Sequence, residues 1–212
     1  MSRLRGIFGG TFDPVHYGHL RPALDIMCQC SLDEVRFIPN RLPPHRDAPF
    51  LDGQLRAELV ALAIAQTPGF VLDERELHRN GPSYMVDTLE SLKREFPEDT
   101  LCLIMGMDAF NGLTKWHRWQ AIPELCHLIV TTRPGAELTG FTDQGELLTR
   151  MSEDPTCLRS TSAGQILLQS VVQLDISASS IRRSLLCGQS IQYLLPEVLR
   201  EKLEHAYARY NR

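Results

Sequence analysis

The sequence predicts an α/β chain: a single doubly wound domain with a mostly parallel sheet, helices on both faces, and further helices at the C-terminal end. Three observations carry that expectation. Short apolar, β-rich runs recur along the chain, amphipathic stretches of helical period separate them, and the two kinds of segment alternate in order. Parallel neighbours need a crossover, and right-handed crossovers on both sides of a sheet give this architecture. In such sheets ligands sit beyond the carboxyl ends of the strands, near the point where the strand order reverses.

The strand candidates are Leu4 to Phe8, Val35 to Pro39, Phe70 to Leu72, Leu101 to Met105, Leu128 to Thr132 and Ile166 to Leu174. Between them, His19 to Cys30, Gln54 to Ala65, Tyr84 to Phe96 and Trp119 to Cys126 have the apolar spacing of helices. Residues 133–165 mix Gly, Pro, Thr and Asp with one short helical pattern, Gln144 to Met151, and are expected to form a surface insertion. From Pro196 to Arg209 a final helix is expected, with Pro at an early helical position and Leu199, Leu203 and Ala206 on one face, so that 177–212 makes a C-terminal helical part.

At 212 residues one core suffices, and 1–212 is expected to be one domain. An apolar fraction of 43% and a charged fraction of 23% are those of a soluble globular protein. No window approaches an uninterrupted apolar membrane span, and Met1 to Phe8 lacks a secretory core, so no membrane association is expected and the chain is expected to stay in the cytoplasm. Cys28, Cys30, Cys102, Cys126, Cys157 and Cys187 form no C-x-x-C pair and match no His spacing for zinc, and they read as reduced, mostly buried residues. A formal charge of −4 argues against broad nucleic-acid binding, which needs clustered Lys and Arg. Any bound anion is expected to be small and locally held. A homo-oligomer stays open.

Gly6 to Leu20 reads GIFGGTFDPVHYGHL. Gly9 and Gly10 end the first strand, and without Cβ atoms they let a ligand approach main-chain N–H groups. Pro14 fixes one dihedral of the next turn and Asp13 can bond its own backbone, so the loop is stiff. His16 and His19, three apart at a helix start, put both rings on one face beside unpaired N–H groups and the positive dipole end, where an anion belongs. Gly18 leaves room for a flat group such as a nucleobase. A lone G-G or H-x-x-H would read as a tight turn with two surface histidines; the whole cluster is what points to a ligand.

Six other stretches carry candidate residues, and most of them admit two readings. In ISASSIRRSLL (Ile176 to Leu186), Ser177 and Ser179 are N-cap candidates and Arg182 lies in the first turn, which makes either a second anion site or a capped helix with a solvated arginine pair. LCLIMGMDAF (Leu101 to Phe110) is a buried strand ending at Gly106; Asp108 just beyond can accept from ribose hydroxyls or cap a helix. IPNRLPPHR is a proline-stiffened loop whose Arg41, His45 and Arg46 either meet a phosphate or face water. PSYMVDTL opens a helix with Ser83 and Tyr84, a candidate anion-facing start. In TKWHRW, Trp116 stacks on a flat ring or covers the core edge, and in TTRPG, Arg133 ends a strand where a guanidinium can meet a carboxylate or phosphate.

G-G-T-F-D-P-x-H-x-G-H resembles the signature of the nucleotidyltransferases that share a fold with class I aminoacyl-tRNA synthetases. I-S-A-S-x-I-R and G-x-D-A-F resemble two further motifs of that superfamily. With P-P-H-R, S-Y-x-x-D-T-L, W-H-R-W and R-P-G in the expected order, nearly the whole chain is similar to the bacterial nicotinate mononucleotide adenylyltransferases. The resemblance implies a Rossmann-like nucleotidyltransferase domain that moves the adenylyl group of ATP to nicotinate mononucleotide, giving nicotinate adenine dinucleotide and pyrophosphate on the way to NAD. It implies ATP contacts from Gly9, Gly10, Thr11, Phe12, His16, Gly18, His19, Gly106, Asp108, Ile176, Ser177, Ser179 and Arg182, with His16, His19 and Arg182 carrying the reaction. It implies mononucleotide contacts from His45, Arg46, Ser83, Tyr84, Trp116 and Arg133, and a Mg²⁺ held by the triphosphate and not by protein side chains. One departure stands out: Met85 occupies the place where the family usually has Thr, so a hydroxyl donor near the co-substrate is lost. Two alternatives remain, a transferase of the phosphopantetheine adenylyltransferase type and a module that binds ATP without turning it over.

Overall fold

Seven strands form one sheet in the order β3-β2-β1-β4-β5-β7-β6, and every pairing is parallel. They are β1 (Leu4–Gly10), β2 (Glu34–Pro39), β3 (Phe70–Leu72), β4 (Thr100–Gly106), β5 (His127–Thr132), β6 (Met151–Ser152) and β7 (Ile166–Ser170). The computed structural model describes residues 2–43, 48–132, 147 and 149–208. The helices among them are α1 (Tyr17–Gln29), α2 (Gly53–Ile64), α3 (Met85–Glu95), α4 (Met107–Asn111), α5 (Ile122–Leu125), α6 (Ala178–Leu186) and α7 (Glu197–Ala208). None is long and apolar enough to cross a membrane.

The strands are apolar on both faces because both faces are covered, and successive residues split between two cores. In β4, Leu101, Leu103 and Met105 face α3 and α4, while Cys102 and Ile104 face the opposite layer. The same alternation puts Leu128 and Val130 on one side of β5 and Ile129 on the other. One layer is built by α1, α2, α6 and α7 through Ile26, Leu59, Ile181 and Leu199; the other by α3, α4 and α5 through Leu89, Phe110 and Ile122. The mostly parallel, doubly wound sheet expected from the sequence is the one observed.

Local departures from the expected elements have local causes. α1 begins at Tyr17, two residues early, because His16 in extended conformation serves as its N-cap. The stretch from Trp119 is a 3₁₀ turn followed by a four-residue helix, since Pro123 sits in its first turn and Cys126 is already extended. β7 stops at Ser170 and not at Leu174: the backbone N–H of Val172 leaves the ladder and donates to Asp25 Oδ2 at 2.9 Å. Within the expected insertion, residues 133–146 lie outside the described residues. Residues 149–165 contribute β6, where Met151 pairs with Ile166, and a 3₁₀ turn, Pro155–Arg159, whose Leu158 is wholly buried. Of the helical pattern Gln144 to Met151, residues 144–146 and 148 are outside the described set, and Met151 belongs to a strand.

Because both cores are close-packed, truncating a central strand residue leaves a cavity. Leu103→Ala is expected to lower the unfolding free energy by about 2–5 kcal/mol, whereas Leu62→Ala on the outer face of α2 changes it by about 0.5 kcal/mol or less. Urea unfolding of the two variants checks the contrast.

Candidate active site

The central strands β1 and β4 pair only from Leu4↔Thr100 to Ile7↔Leu103, and each runs three residues further without the other. Beyond that point the chain leaves β1 toward the α1 layer and leaves β4 toward the α4 layer. The result is a crevice at the carboxyl edge of the sheet, floored by Phe8 to Gly10 on one side and Ile104 to Gly106 on the other. Gly9 has a packing reason to be glycine here: a Cβ on it would lie 2.5 Å from Met85 Cε, so the methyl of Met85 lies against the β1 side of the crevice.

The loop that follows β1 is held from beneath. Asp13, 4% exposed, accepts on its carboxylate from the backbone N–H groups of Phe50 (2.7 Å) and Leu51 (3.1 Å). Arg56, 1% exposed, donates from Nη1 to Thr11 O (2.7 Å), from Nη2 to Asn40 O (2.8 Å) and from Nε to Leu51 O (3.1 Å). Asn40 Nδ2 donates to Thr11 Oγ1 at 3.3 Å. The Asp13–Pro14 peptide is cis, and Phe12 has a positive φ of 48°. Its ring is buried against Phe8, Phe37 and His19, which offsets the left-handed backbone with apolar contact. Phe12 therefore offers a ligand only its main chain.

His16 and His19 lie ring against ring, centroids 3.8 Å apart, at the N-terminus of α1. The backbone N–H of His16 donates to Nδ1 of His19 at 3.3 Å, so in the neutral ring Nε2 of His19 carries the proton and is the donor left for a ligand. Among the described residues, buried His16 Nδ1 has no hydrogen-bond partner. Burial pushes His16 down to about 4, and burial together with the neighbouring His16 pushes His19 down to about 3, so both rings are neutral at physiological pH.

The distant stretch 176–182 folds against this loop. A Cβ on Gly18 would come within 3.0 Å of Ile176 O and 2.9 Å of the His16 ring, so the absence of a side chain is what lets the two segments touch. Arg182 Nη1 donates to Asp13 O at 2.7 Å and lies 3.7 Å from its carboxylate, while Nη2 donates to Ser179 Oγ at 3.2 Å. Ser177, not Ser179, is the N-cap: its Oγ accepts from Ser180 N at 3.1 Å, which puts Arg182 in the second turn of α6 and not the first. Tyr17 N donates to Leu194 O at 3.2 Å, a further tie between the start of α1 and the C-terminal part. The histidines, Gly18, Ile176, Ser179 and Arg182 are thus brought together around two helix N-termini.

On the other side of the crevice, Gly106 is the exposed N-cap of α4 and Asp108 stands exposed in its first turn. The Ser83 hydroxyl accepts from the backbone of Arg41 (2.9 Å) and Leu42 (3.4 Å), so it holds the loop after β2. Tyr84 caps α3 and stacks on His117, centroids 4.2 Å apart and 28° between planes. Trp116 is half-buried at the edge of the α3 layer, next in sequence to that stack. His45, Arg46 and Arg133 lie outside the described residues. Among the described residues no group of three His, Cys, Asp or Glu side chains is placed to hold a metal ion.

The divided sheet, the glycine-rich turn and the paired histidines on a helix start are those of a nucleotidyltransferase, and the chain belongs to the cytidylyltransferase-like family, whose model matches residues 7–184. Its kinship within that class is narrower, to the nicotinate-nucleotide adenylyltransferases. A protein of Halorhodospira halophila named "Probable nicotinate-nucleotide adenylyltransferase" is 49% identical over 207 residues, covering 96% of this chain and 94% of the relative. One of the same name from Methylococcus capsulatus is 46% identical over 208 residues, covering 96% and 99%. The fold is similar to that of Plasmodium falciparum nicotinic acid mononucleotide adenylyltransferase complexed with APC, with a TM-score of 0.70 and 18% identity over 99% of this chain and 96% of that one.

Arg56, Asn40 and His117 have no part in the sequence expectations for the site. An arginine on a helix, an asparagine after a strand and an exposed histidine carry no local signal of the partners they find here. A test of the histidine pair follows from burial alone. An imidazole kept neutral in the fold takes its proton only in the unfolded chain, so its contribution to stability is complete above pH 6.5 and is lost as pH falls toward about 4. Each ring adds a slope of up to about 1.4 kcal/mol per pH unit in that interval. Urea midpoints across it are expected to fall less steeply in His16→Asn than in the wild type, and equal slopes would show that the ring is not held neutral.

Proposed function

We propose that the protein transfers the adenylyl group of ATP to nicotinate mononucleotide, releasing pyrophosphate and forming nicotinate adenine dinucleotide. The observation that carries this reading is the meeting of Arg182 with Asp13 beside the histidine pair, because it joins two helix N-termini and a guanidinium into one anion-binding corner next to the crevice. The attacking group is a phosphate oxygen of the mononucleotide, already ionised, so no side chain needs to remove a proton. What the residues supply is position and charge: His16, His19 and Arg182 receive the triphosphate so that two polyanions can approach in line at the α-phosphorus. The main chain of Gly9 to Phe12 and the hydroxyls of Ser177 and Ser179 assist at the phosphates, with Gly18 and Ile176 beside them, and Gly106 and Asp108 meet the nucleotide sugar.

Mg²⁺ enters as part of the ATP substrate. The donors gathered here are imidazole N–H, hydroxyl and guanidinium, which suit phosphate oxygens and not a cation. On the acceptor side the reading assigns the mononucleotide phosphate to Arg46, His45 and the start of α3 at Ser83 and Tyr84, the pyridine ring to Trp116 and a carboxylate or phosphate contact to Arg133. Support for that half comes from Tyr84 stacked on His117, which brings the Trp116 loop to the start of α3. The activity is assigned to the cytoplasm.

A pyrophosphate-release assay with ATP and, in turn, nicotinate mononucleotide, nicotinamide mononucleotide and phosphopantetheine tests the reaction. Release is expected with a pyridine mononucleotide; ATP binding with no release for any acceptor would make the protein a sensor. His19→Ala is expected to fold normally and lose about a hundredfold or more in turnover, by analogy with removal of a single oxyanion donor. Trp116→Ala is expected to raise KM for the mononucleotide and leave KM for ATP unchanged; the reverse pattern would take the ring contact away from Trp116.

A further inference from the structure

Glu76 is 3% exposed, lies in the loop between β3 and α3, and has two hydroxyls, those of Thr88 and Ser83, beside its carboxyl group. Thr88 Oγ1 donates to Glu76 Oε1 at 2.6 Å, and the Ser83 hydroxyl lies near enough to the same carboxyl group to favour its charged form. Each hydroxyl has one proton, and a proton directed at Glu76 leaves its oxygen as an acceptor. Ser83 Oγ accordingly accepts from Arg41 N at 2.9 Å, and Thr88 Oγ1 accepts from Arg79 Nη1 at 3.2 Å. Arg79 Nη2 donates to Tyr84 O at 3.2 Å, Ser83 N donates to Leu42 O at 2.9 Å, and Arg41 Nη1 closes the circuit on Arg79 O at 3.0 Å. Burial raises the carboxyl pKa, while the two hydroxyls and the Arg79 charge pull it back.

We propose that Glu76 is a positioning residue for the mononucleotide half of the site: by accepting from Ser83 and Thr88 it orients both hydroxyls so that the loop after β2 and the N-terminus of α3 are clamped together. An ionised carboxylate is an acceptor at every lone pair, which is why it can set the direction of both bonds at once. A glutamine of the same shape presents N–H groups on one side and reverses one of the two. The ATP half of the site has no member in this circuit. The identity of the ligand rests on the function proposed above; the clamp itself does not.

Two measurements separate those layers. Initial rates of pyrophosphate release, with ATP and nicotinate mononucleotide varied in turn, are expected to give Glu76→Gln a KM for the mononucleotide raised about tenfold, the cost of one misdirected bond, with KM for ATP and kcat within about twofold of wild type. Amide hydrogen exchange of ligand-free protein is expected to be faster for a peptide spanning residues 36–43 in Glu76→Gln and unchanged for α1. Should Glu76→Gln not fold, Thr88→Val and Thr88→Ser replace it: the valine is expected to reproduce both effects, and the serine, which keeps the hydroxyl, to restore wild-type behaviour. Equal rises in both KM values, or unaltered exchange at 36–43, would overturn the clamp. Absence of turnover in the wild type would instead retire the proposed reaction, and the exchange data would still decide on Glu76.

Discussion

The architecture of the crevice rests on one buried cation. Arg56 reaches three loops at once, and each of its bonds ends on a main-chain carbonyl: Thr11 after β1, Asn40 after β2, Leu51 before α2. Among the described residues no carboxylate forms an ion pair with it. Burial draws its pKa down, and the fields of Asp13 and Asp52 act in the opposite direction. A guanidinium suits this position because its planar fork offers donors in fixed directions, so three loops are set relative to one another as well as attached. Stranding any of those carbonyls inside the protein would cost about 1–3 kcal/mol, which makes the arrangement all or none. Asp13 completes the support from the other side, taking two N–H groups of the 50–51 turn on its carboxylate and a guanidinium bond on its carbonyl.

Above this frame sits a pair of imidazoles that is uncharged in the ligand-free protein. Neutral rings stacked at 3.8 Å cost little; two imidazolium ions there would repel strongly, and burial keeps the protons away. The tautomer of His19 is set by the backbone of His16, which leaves Nε2 carrying the ring proton in the ligand-free protein. Preorganised donors of this kind do not have to be reoriented at the moment of reaction, which is the main source of their value. Arg182 supplies formal positive charge, and it is itself braced by Asp13 O and Ser179 Oγ.

The sheet was legible in the sequence because burial on both faces makes every central strand a continuous apolar run, and β4 and β5 are the clearest cases. β6 was not, since two residues show no period and its existence depends on a neighbour, β7. The histidine loop was readable as a ligand site from its small residues and its position after a strand, and its partnership with Arg182 came only through the resemblance, because no local pattern links residues 169 apart. Ser83 shows the opposite limit. A serine opening a helix reads as an anion ligand; that its hydroxyl also accepts from the backbone of Arg41 and Leu42 has no local signal, because their proximity depends on the β2 loop. Arg56 was invisible for the same reason: on a helix surface it would be solvated, and only the convergence of three loops buries it.

The great chain separation between the two halves of the phosphate corner has a consequence for how the protein comes into being. While the chain is being synthesised, the sheet's first four strands, the glycine turn and both imidazoles are already available for folding, but Ile176 and Arg182 are not. Until the ribosome has passed that point, Gly18 faces no neighbouring carbonyl and the carbonyl of Asp13 lacks its guanidinium. A nascent chain therefore carries only half of the corner to which the proposed function assigns the triphosphate, and on that proposal nucleotide can stabilise the molecule only after that last segment docks.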